Sequence, residues 1–175
     1  ILKPLLLATR PAPIPRRKAI RLLEQVRTER GELGVNEAFT LAQLYLRTDD
    51  WPKCREQMLD LLSKHPDNAP MLGAFSRMLL ERDYVDEAQR WVEKLEKVDP
   101  QGPNTLEVKS RLLAKMQRGG EAVATLQKLL PKKIERKDLE LLVSIALAAE
   151  KMGEYDAAGK LLRQYVEMEP RGVLV

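Results

Sequence analysis

The chain has little of what catalytic and metal sites usually require. A single cysteine, Cys54, excludes an intrachain disulfide and any metal site built from several cysteines. The single histidine, His65, precedes Pro66, so we expect it at a helix end, close to free carbonyl groups, rather than as a general base. No apolar run reaches the roughly 18 residues that a membrane-spanning helix needs. The sequence therefore predicts a protein that is not an enzyme and that holds no metal and no cofactor.

The positive charge is concentrated at one end of the chain. Residues 1–30 contain eight Lys and Arg against two Glu, a local charge of +6, whereas the whole chain of 175 residues carries only +4. The remaining residues therefore sum to −2, and the pI near 9.2 describes the first 30 residues rather than the chain throughout. The hydrophobic fraction of 44% is enough to bury a continuous core.

Both chain ends are apolar, and the first residue is Ile1 rather than Met. Because chain ends of a complete protein are usually polar, we expect this sequence to be a piece of a longer one. The lack of a signal peptide then says little about the compartment, for which a cytoplasmic location is the expectation.

Two independent series of residues recur along the chain. Prolines preceded by polar residues are 34 and then 70 residues apart, at Pro66, Pro100 and Pro170. Small residues recur at intervals of 34, 34 and 36, at Cys54, Ala88, Ala122 and Ala158. Both series place two extra residues in the basic segment 131–137. A period of this length predicts a helical repeat protein.

Each period contains two apolar stripes at helical spacing, separated by a short turn. Leu41, Leu44 and Tyr45 form one such stripe, and Met58, Leu61 and Leu62 form the next. A small residue at a fixed place lets the two helices of a pair approach closely, and a proline ends the second helix. One pair has too little apolar surface to be stable alone, so consecutive pairs are expected to stack.

The pattern resembles the tetratricopeptide repeat, with the fourth copy as the best match. It has Ile145 and Ala146 at the Leu-Gly pair, the turn 153–156, and then Ala158, Leu162 and Pro170 in the second helix. The resemblance implies an all-α fold, a right-handed superhelix of antiparallel helix pairs. The expected divisions are repeats at 35–68, 69–102, 103–138 (with the insertion near 131–137) and 139–172, and a degenerate preceding repeat at 1–34, with helices at 3–9 and about 15–30. Together these form a single solenoid domain.

The resemblance also implies a site. In this family the first helices of successive repeats line a concave groove that binds a peptide or helix of a partner protein. Transferred by position, the predicted groove residues are Asn36, Phe39, Gln43, Arg47, Arg77, Glu81, Asn104, Glu107, Arg111, Lys115, Val143 and Leu147. The remaining positions of the same set are Leu46, Pro70, Gly73, Leu80, Ala114, Glu140, Glu150 and Lys151. The partner's identity and the oligomeric state are not indicated by the sequence.

Family members that hold the acidic tails of chaperones use paired Lys, Asn and Arg residues. This chain has Phe39 with Gln43 and Glu107 with Arg111 at those positions, so we do not expect chaperone-tail binding. Arg77 and Arg111 are equivalent in adjacent repeats, near Arg47 and Lys115, and suit an acidic or phosphorylated segment. The alternative is that these arginines pair with Glu81 and Glu107 on solvated helix surfaces.

Two aromatic residues, Trp51 and Tyr155, share one repeat position at the start of a second helix, where packing against the preceding helix is expected. The role of Trp91 is left open. Cys54 is expected to be buried and inert, since it occupies the small-residue position.

Three other functions remain as alternatives. RNA binding, as in the pentatricopeptide proteins of similar period, would use the basic residues of 16–30 and the loop 132–137. Helix 15–30 has the pattern of an amphipathic helix on a membrane surface, but any first helix packed on a solenoid has it too. Finally, the repeats suit a regulatory or assembly module of a larger enzyme.

Overall fold

The computed structural model describes residues 13–169, which contain nine α-helices, one 3₁₀ turn and no strand. The helices are α1 (Pro13–Arg30), α2 (Val35–Arg47), α3 (Trp51–Lys64), α4 (Ala69–Glu81), α5 (Val85–Val98), α6 (Pro103–Lys115), α7 (Gly119–Gln127), α8 (Leu139–Lys151) and α9 (Tyr155–Met168), with the 3₁₀ turn at Arg136–Asp138. The all-α prediction is confirmed. The chain divides into two compact units between Asn68 and Ala69, and the single continuous solenoid stays a prediction.

The first unit contains α1 and the helix pair α2–α3. The helix expected at about 15–30 is present as α1, which buries Ala19 and Leu23 and packs on α2. The hydroxyl of the buried Tyr45 on α2 donates a hydrogen bond of 2.7 Å to Oε1 of Glu24 on α1. The helix expected at residues 3–9 lies outside the described residues.

The same type of turn connects the first and second helices of all four pairs. The second residue after each first helix has a left-handed backbone, with φ near 61° at Asp49, 60° at Asp83, 61° at Gln117 and 79° at Gly153. The next amide then donates to a carbonyl five residues back, as in Asp50 to Tyr45 and Glu154 to Ala149, both at 2.9 Å. This is the helix-ending motif that satisfies the free carbonyls of a first helix. The four turns keep the intervals of 34, 34 and 36 residues seen in the sequence.

The small-residue series lies in the packed interior of the helix pairs. Cys54, Ala88 and Ala122 are each 0% exposed, and Ala158 is 6% exposed. Their burial confirms that this position holds a small side chain where two helices are close. Cys54 is buried, as expected, and His65 is the C-terminal capping residue of α3.

The second unit contains the pairs α4–α5, α6–α7 and α8–α9. Successive pairs contact each other, since α4 packs on α6 and α7 packs on α8. Phe75 on α4 and Trp91 on α5 meet edge to face, with ring centroids 5.2 Å apart at 74°, so Trp91 is a packing residue of the second pair. The expectation for the aromatic position holds for Trp51, which is 9% exposed, and is wrong for Tyr155, which is 71% exposed. Leu142, Ile145 and Leu161 form the core of the last pair instead, so its packing does not need the tyrosine ring.

The third pair departs from the repeat because its second helix is short. Helices α3, α5 and α9 each have 14 residues, whereas α7 has nine. Beyond Gln127 the hydrogen bonds change to three-residue spacing, ending with the Leu130 amide on the Gln127 carbonyl at 3.1 Å. Pro131 follows, and a residue before proline is disfavoured in an α-helix. The displaced proline thus explains the early end, and the insertion expected at 131–137 lies in the segment that follows.

The segment 128–138 packs on the last helix pair through its apolar residues. Leu130 and Ile134 are partly buried against the core of α8 and α9. Lys132, Lys133 and Lys137 stay exposed in the same segment. The segment is therefore anchored by two apolar side chains and presents its basic residues to solvent.

Candidate partner-binding groove

An open cavity of about 640 Å³, here called the groove, lies against the first helices of all three pairs in the second unit. Four of the predicted residues line it, namely Arg77, Glu81, Arg111 and Lys115. The other lining residues are Leu80, Ala114, Gln117, Gly119, Lys151, Met152 and Glu154. The structure thus brings these four predicted residues together on one face, and their role in binding stays a prediction.

Two arginines in the groove share one carboxylate. Nη1 of Arg77 donates to Oε2 of Glu107 over 2.7 Å, joining α4 to α6. Nε and Nη2 of Arg111 lie 3.0 and 2.9 Å from Oε1 of the same carboxylate. The alternative of internal pairing is therefore realised at Glu107, but one negative charge faces two positive charges. The cluster keeps a net positive charge.

Two lysines complete the charged wall of the groove. Lys115 forms an ion pair with Asp83, which precedes α5. Lys151 on α8 is exposed and has no ion-pair partner anywhere in residues 13–169. Glu81 and Glu154 contribute the negative charges of the lining. Among the lining residues alone, four cations outnumber these two carboxylates, and Glu107 and Asp83 beside the lining pair with three of the four cations.

A second cavity of about 440 Å³, here called the side pocket, adjoins the groove between α6 and α8. It shares Arg111, Ala114, Lys151 and Met152 with the groove. Its remaining lining is Glu107, Ser110, Leu126, Leu129, Leu141, Ser144, Ile145 and Ala148. The shared residues make the two cavities one continuous surface, with a charged part and an apolar part.

The remaining predicted residues lie elsewhere. Asn104 is half-buried where α6 crosses α4, since a Cβ placed on Gly73 would lie 3.5 Å from the Asn104 Cβ. Val143 lines a separate shallow cavity with Tyr165, and Leu147 is 50% exposed on α8. In the first unit, α2 carries the other four: Phe39 and Gln43 are half-buried, and Asn36 and Arg47 are exposed.

Sequence reasoning did not identify the turn residues of the groove. Gln117 lies in the turn of the third pair, Gly119 is the first residue of α7 after that turn, and Met152 and Glu154 lie in the turn of the fourth pair. A Cβ on Gly119 would lie 2.6 Å from Oε1 of Glu154 and 3.3 Å from the Met152 carbonyl oxygen, so this glycine permits a close approach of the two turns. The Gly119-Gly120 pair was the available signal, but it indicates a turn without indicating what the turn touches.

Other kinds of site receive no support from the part of the chain that the structure describes. Residues 13–169 contain no group of three or more His, Cys, Asp or Glu side chains placed to hold a metal ion. No helix among them is long and apolar enough to cross a membrane. On α1, Arg17, Lys18 and Arg21 are exposed, so the RNA-binding and membrane-surface alternatives stay predictions.

Comparisons with known proteins agree with the fold. The sequence matches no family model and no curated protein. A crystal structure of MamA superposes with a TM-score of 0.66 at 16% identity, covering 92% of each chain. A MamA AMB-1 structure gives 0.61 at 21% identity, covering 91% of this chain and 85% of that one. TTC0263, a thermophilic TPR protein in Thermus thermophilus, gives 0.64 at 18% identity, covering 90% and 84%. This likeness shows a tetratricopeptide-type helical repeat fold.

Proposed function

We propose that this chain is a protein-interaction scaffold, and that the groove along α4, α6 and α8 binds an acidic segment of a partner protein. The observation that carries the proposal is the sharing of Glu107 by Arg77 and Arg111 on the wall of an open cavity. The proposal extends to the groove the use that tetratricopeptide-type folds make of their first helices.

The arginines retain hydrogen-bonding capacity for a partner. A guanidinium has five N–H groups in a planar fork, and Arg77 uses Nη1 on Glu107 while Arg111 uses Nε and Nη2. The Arg77 side chain is 32% exposed and that of Arg111 is 54% exposed, so solvent reaches both. A partner carboxylate can therefore bind beside Glu107 and balance the excess positive charge of the cluster.

Lys151 adds a further cation to the groove on the side of the fourth pair. Because it has no ion-pair partner in the described residues, binding an acidic group there breaks no existing ion pair. A segment that runs across α4, α6 and α8 would meet Arg77, Arg111 and Lys151 in turn. Its affinity should fall as salt is added, since exposed charge pairs are screened.

Selection of random 12-residue peptides on the immobilised chain tests this proposal. We expect the enriched peptides to be acidic, and we expect the double variant Arg77→Glu and Arg111→Glu to lose at least about 10-fold in affinity for them. The matched control is the double variant Arg90→Glu and Arg163→Glu, which makes the same charge change at exposed positions on the second helices α5 and α9.

The possible outcomes separate clearly. Acidic peptides that bind the control variant but not the groove variant support the proposal. Peptides that lack acidic residues, or that bind all three proteins equally, contradict it, and so does a selection that enriches nothing on the wild-type chain.

A further inference from the structure

The side pocket lies beside α7, the short second helix of the third pair. In the second unit α4 packs on α6, whereas α6 and α8 line a cavity between them. Helix α7 packs on both α6 and α8 and ends at Gln127. The chain then passes through the segment 128–138 before α8 begins. The opening between the third and fourth first helices therefore coincides with the displaced proline and the two-residue insertion.

The floor and walls of this pocket are apolar. Leu126 and Leu129 come from the end of the third pair, and Leu141, Ile145 and Ala148 come from successive turns of α8. Ile145 is 2% exposed and Leu126 and Leu141 are partly buried against the same core, so these side chains are held in place. A held apolar lining of this volume is typical of cavities that bind an apolar group.

The mouth of the pocket is charged, and this identifies the occupant. Arg111 and Lys151 line the side pocket and the groove at once, and Glu107 is the one carboxylate in the pocket lining. Whatever enters must be apolar at its tip and must bring negative charge beside it. A large apolar side chain in an acidic peptide has both properties.

We infer that the side pocket binds one large apolar side chain, such as Leu, Phe or Trp, of the acidic segment in the groove. This inference rests on the proposed function and adds the partner's chemistry: carboxylates along the groove and one apolar anchor between the third and fourth repeats. Anchors of this kind, buried in a pocket and surrounded by polar contacts, usually carry most of the affinity of a protein interface.

The peptides selected on the wild-type chain provide the test. We expect one large apolar residue at a fixed distance from the acidic positions, and changing it to Ala should weaken binding at least about 10-fold. On the protein, Ala148→Phe should fill the pocket and weaken binding by a similar factor. The control Ala124→Phe introduces the same side chain at an exposed position on α7, outside both cavities, and should leave affinity unchanged.

A second variant keeps the test valid if Ala148→Phe disturbs the fold. Leu129→Asp places a carboxylate in the lining of the side pocket but not of the groove and should weaken binding of the same peptides, whereas Leu162→Asp, the same change at an exposed position on α9, should not. Circular dichroism melts of all four variants establish that they are folded before affinities are compared.

Several results would overturn the inference. Acidic peptides that depend on Arg77 and Arg111 but have no apolar anchor, or that tolerate both Ala148→Phe and Leu129→Asp, remove the side pocket and leave the proposed function standing. Peptides insensitive to the groove arginines remove the proposed function and the inference with it. A wild-type dimer that Ala148→Phe dissociates, measured by light scattering, would assign the pocket to a second copy of the chain instead.

Discussion

The guanidinium of Arg77 on α4 donates a 2.7 Å hydrogen bond to the carboxylate of Glu107 on α6, joining the first helices of two adjacent pairs across the wall of the groove. Arg111 binds the same carboxylate from within α6, so Glu107 determines both the position of the two arginines and their net charge. Removing that carboxylate's charge is therefore a direct way to change the electrostatics of the site.

We expect Glu107→Gln to bind acidic peptides about 2- to 10-fold more tightly than the wild type, because both arginines lose their internal anion. The cost in stability should be at most about 1 kcal/mol, since all three side chains are partly exposed to water. Titrations at low and high salt measure the effect, which should shrink as salt is added. Glu93→Gln, an exposed change on α5, serves as the control. Unchanged or weaker binding by Glu107→Gln would show that these arginines do not contact the peptide.

Two glycine substitutions in the fourth pair should have opposite effects on the free energy of unfolding. Gly153 has φ near 79° and open space around its Cβ position, so Gly153→Ala should cost about 1 kcal/mol through backbone strain alone. Gly159 lies inside α9, where an added Cβ meets nothing closer than 4.0 Å, so Gly159→Ala should stabilise by about 0.5–1 kcal/mol. Urea unfolding of the two variants compares them directly. Equal effects would contradict the backbone assignment of the turn.

The small-residue position predicts a penalty for a larger side chain. Ala88 lies on α5, which packs on α4, and it is 0% exposed. Ala88→Leu should therefore destabilise the chain by about 1–3 kcal/mol through overpacking. Ala124→Leu makes the same change at an exposed position and should stay within about 0.5 kcal/mol of the wild type. Thermal and urea denaturation give both values. A well-tolerated leucine at Ala88 would mean that close helix approach does not depend on this residue.

Tyr45 should make stability depend on alkaline pH. Burial, and then its hydrogen bond to the Glu24 carboxylate, raise the pKa of the Tyr45 hydroxyl above its ordinary value. With the folded pKa above the unfolded one, the stabilisation is fully present below pH about 10 and is lost as pH rises further, since only the unfolded tyrosine ionises readily.

Tyr45→Phe should cost about 1 kcal/mol at neutral pH through the lost hydrogen bond and should lose less stability between pH 8 and pH 11 than the wild type. Urea unfolding at the two pH values measures both effects. Tyr155→Phe, at a position 71% exposed, should follow the wild-type pH profile. If the Tyr45→Phe profile also follows it, ionisation of Tyr45 does not oppose folding.

The regular part of this fold was predictable because it depends on local chemistry repeated at a fixed interval. Cys54, Ala88, Ala122 and Ala158 identified the helix pairs, and the prolines identified where the second helices end. The same alignment placed Arg77 and Arg111 on one face, where the structure has them in one cavity. Periodicity predicts such positions because each helix pair makes the same contacts as the next.

What was not predictable lies where the repetition fails. The displaced Pro131 indicated an insertion, but not that α7 would end at Gln127 and leave a cavity beside α8. Tyr155 has the same repeat position as Trp51 but a different exposure, because burial depends on neighbouring side chains as well as on repeat position. The sharing of Glu107 by two arginines likewise depends on side-chain geometry, which sequence spacing alone leaves open between several pairings.

The central claim is that a partner segment lies along the first helices and not the second. Photo-crosslinking with p-benzoyl-L-phenylalanine tests it most directly, with the probe in place of Leu147 on α8 or, as the matched control, in place of Leu162 on α9. Leu147 does not line the groove itself but lies about one helical turn before the lining residue Lys151, on the same face of α8. The side chains of Leu147 and Leu162 are 50% and 43% exposed, so both probes reach solvent. We predict that an acidic peptide selected on the chain crosslinks at position 147 and not at position 162. Crosslinking at 162 alone, or equally at both positions, would contradict the claim.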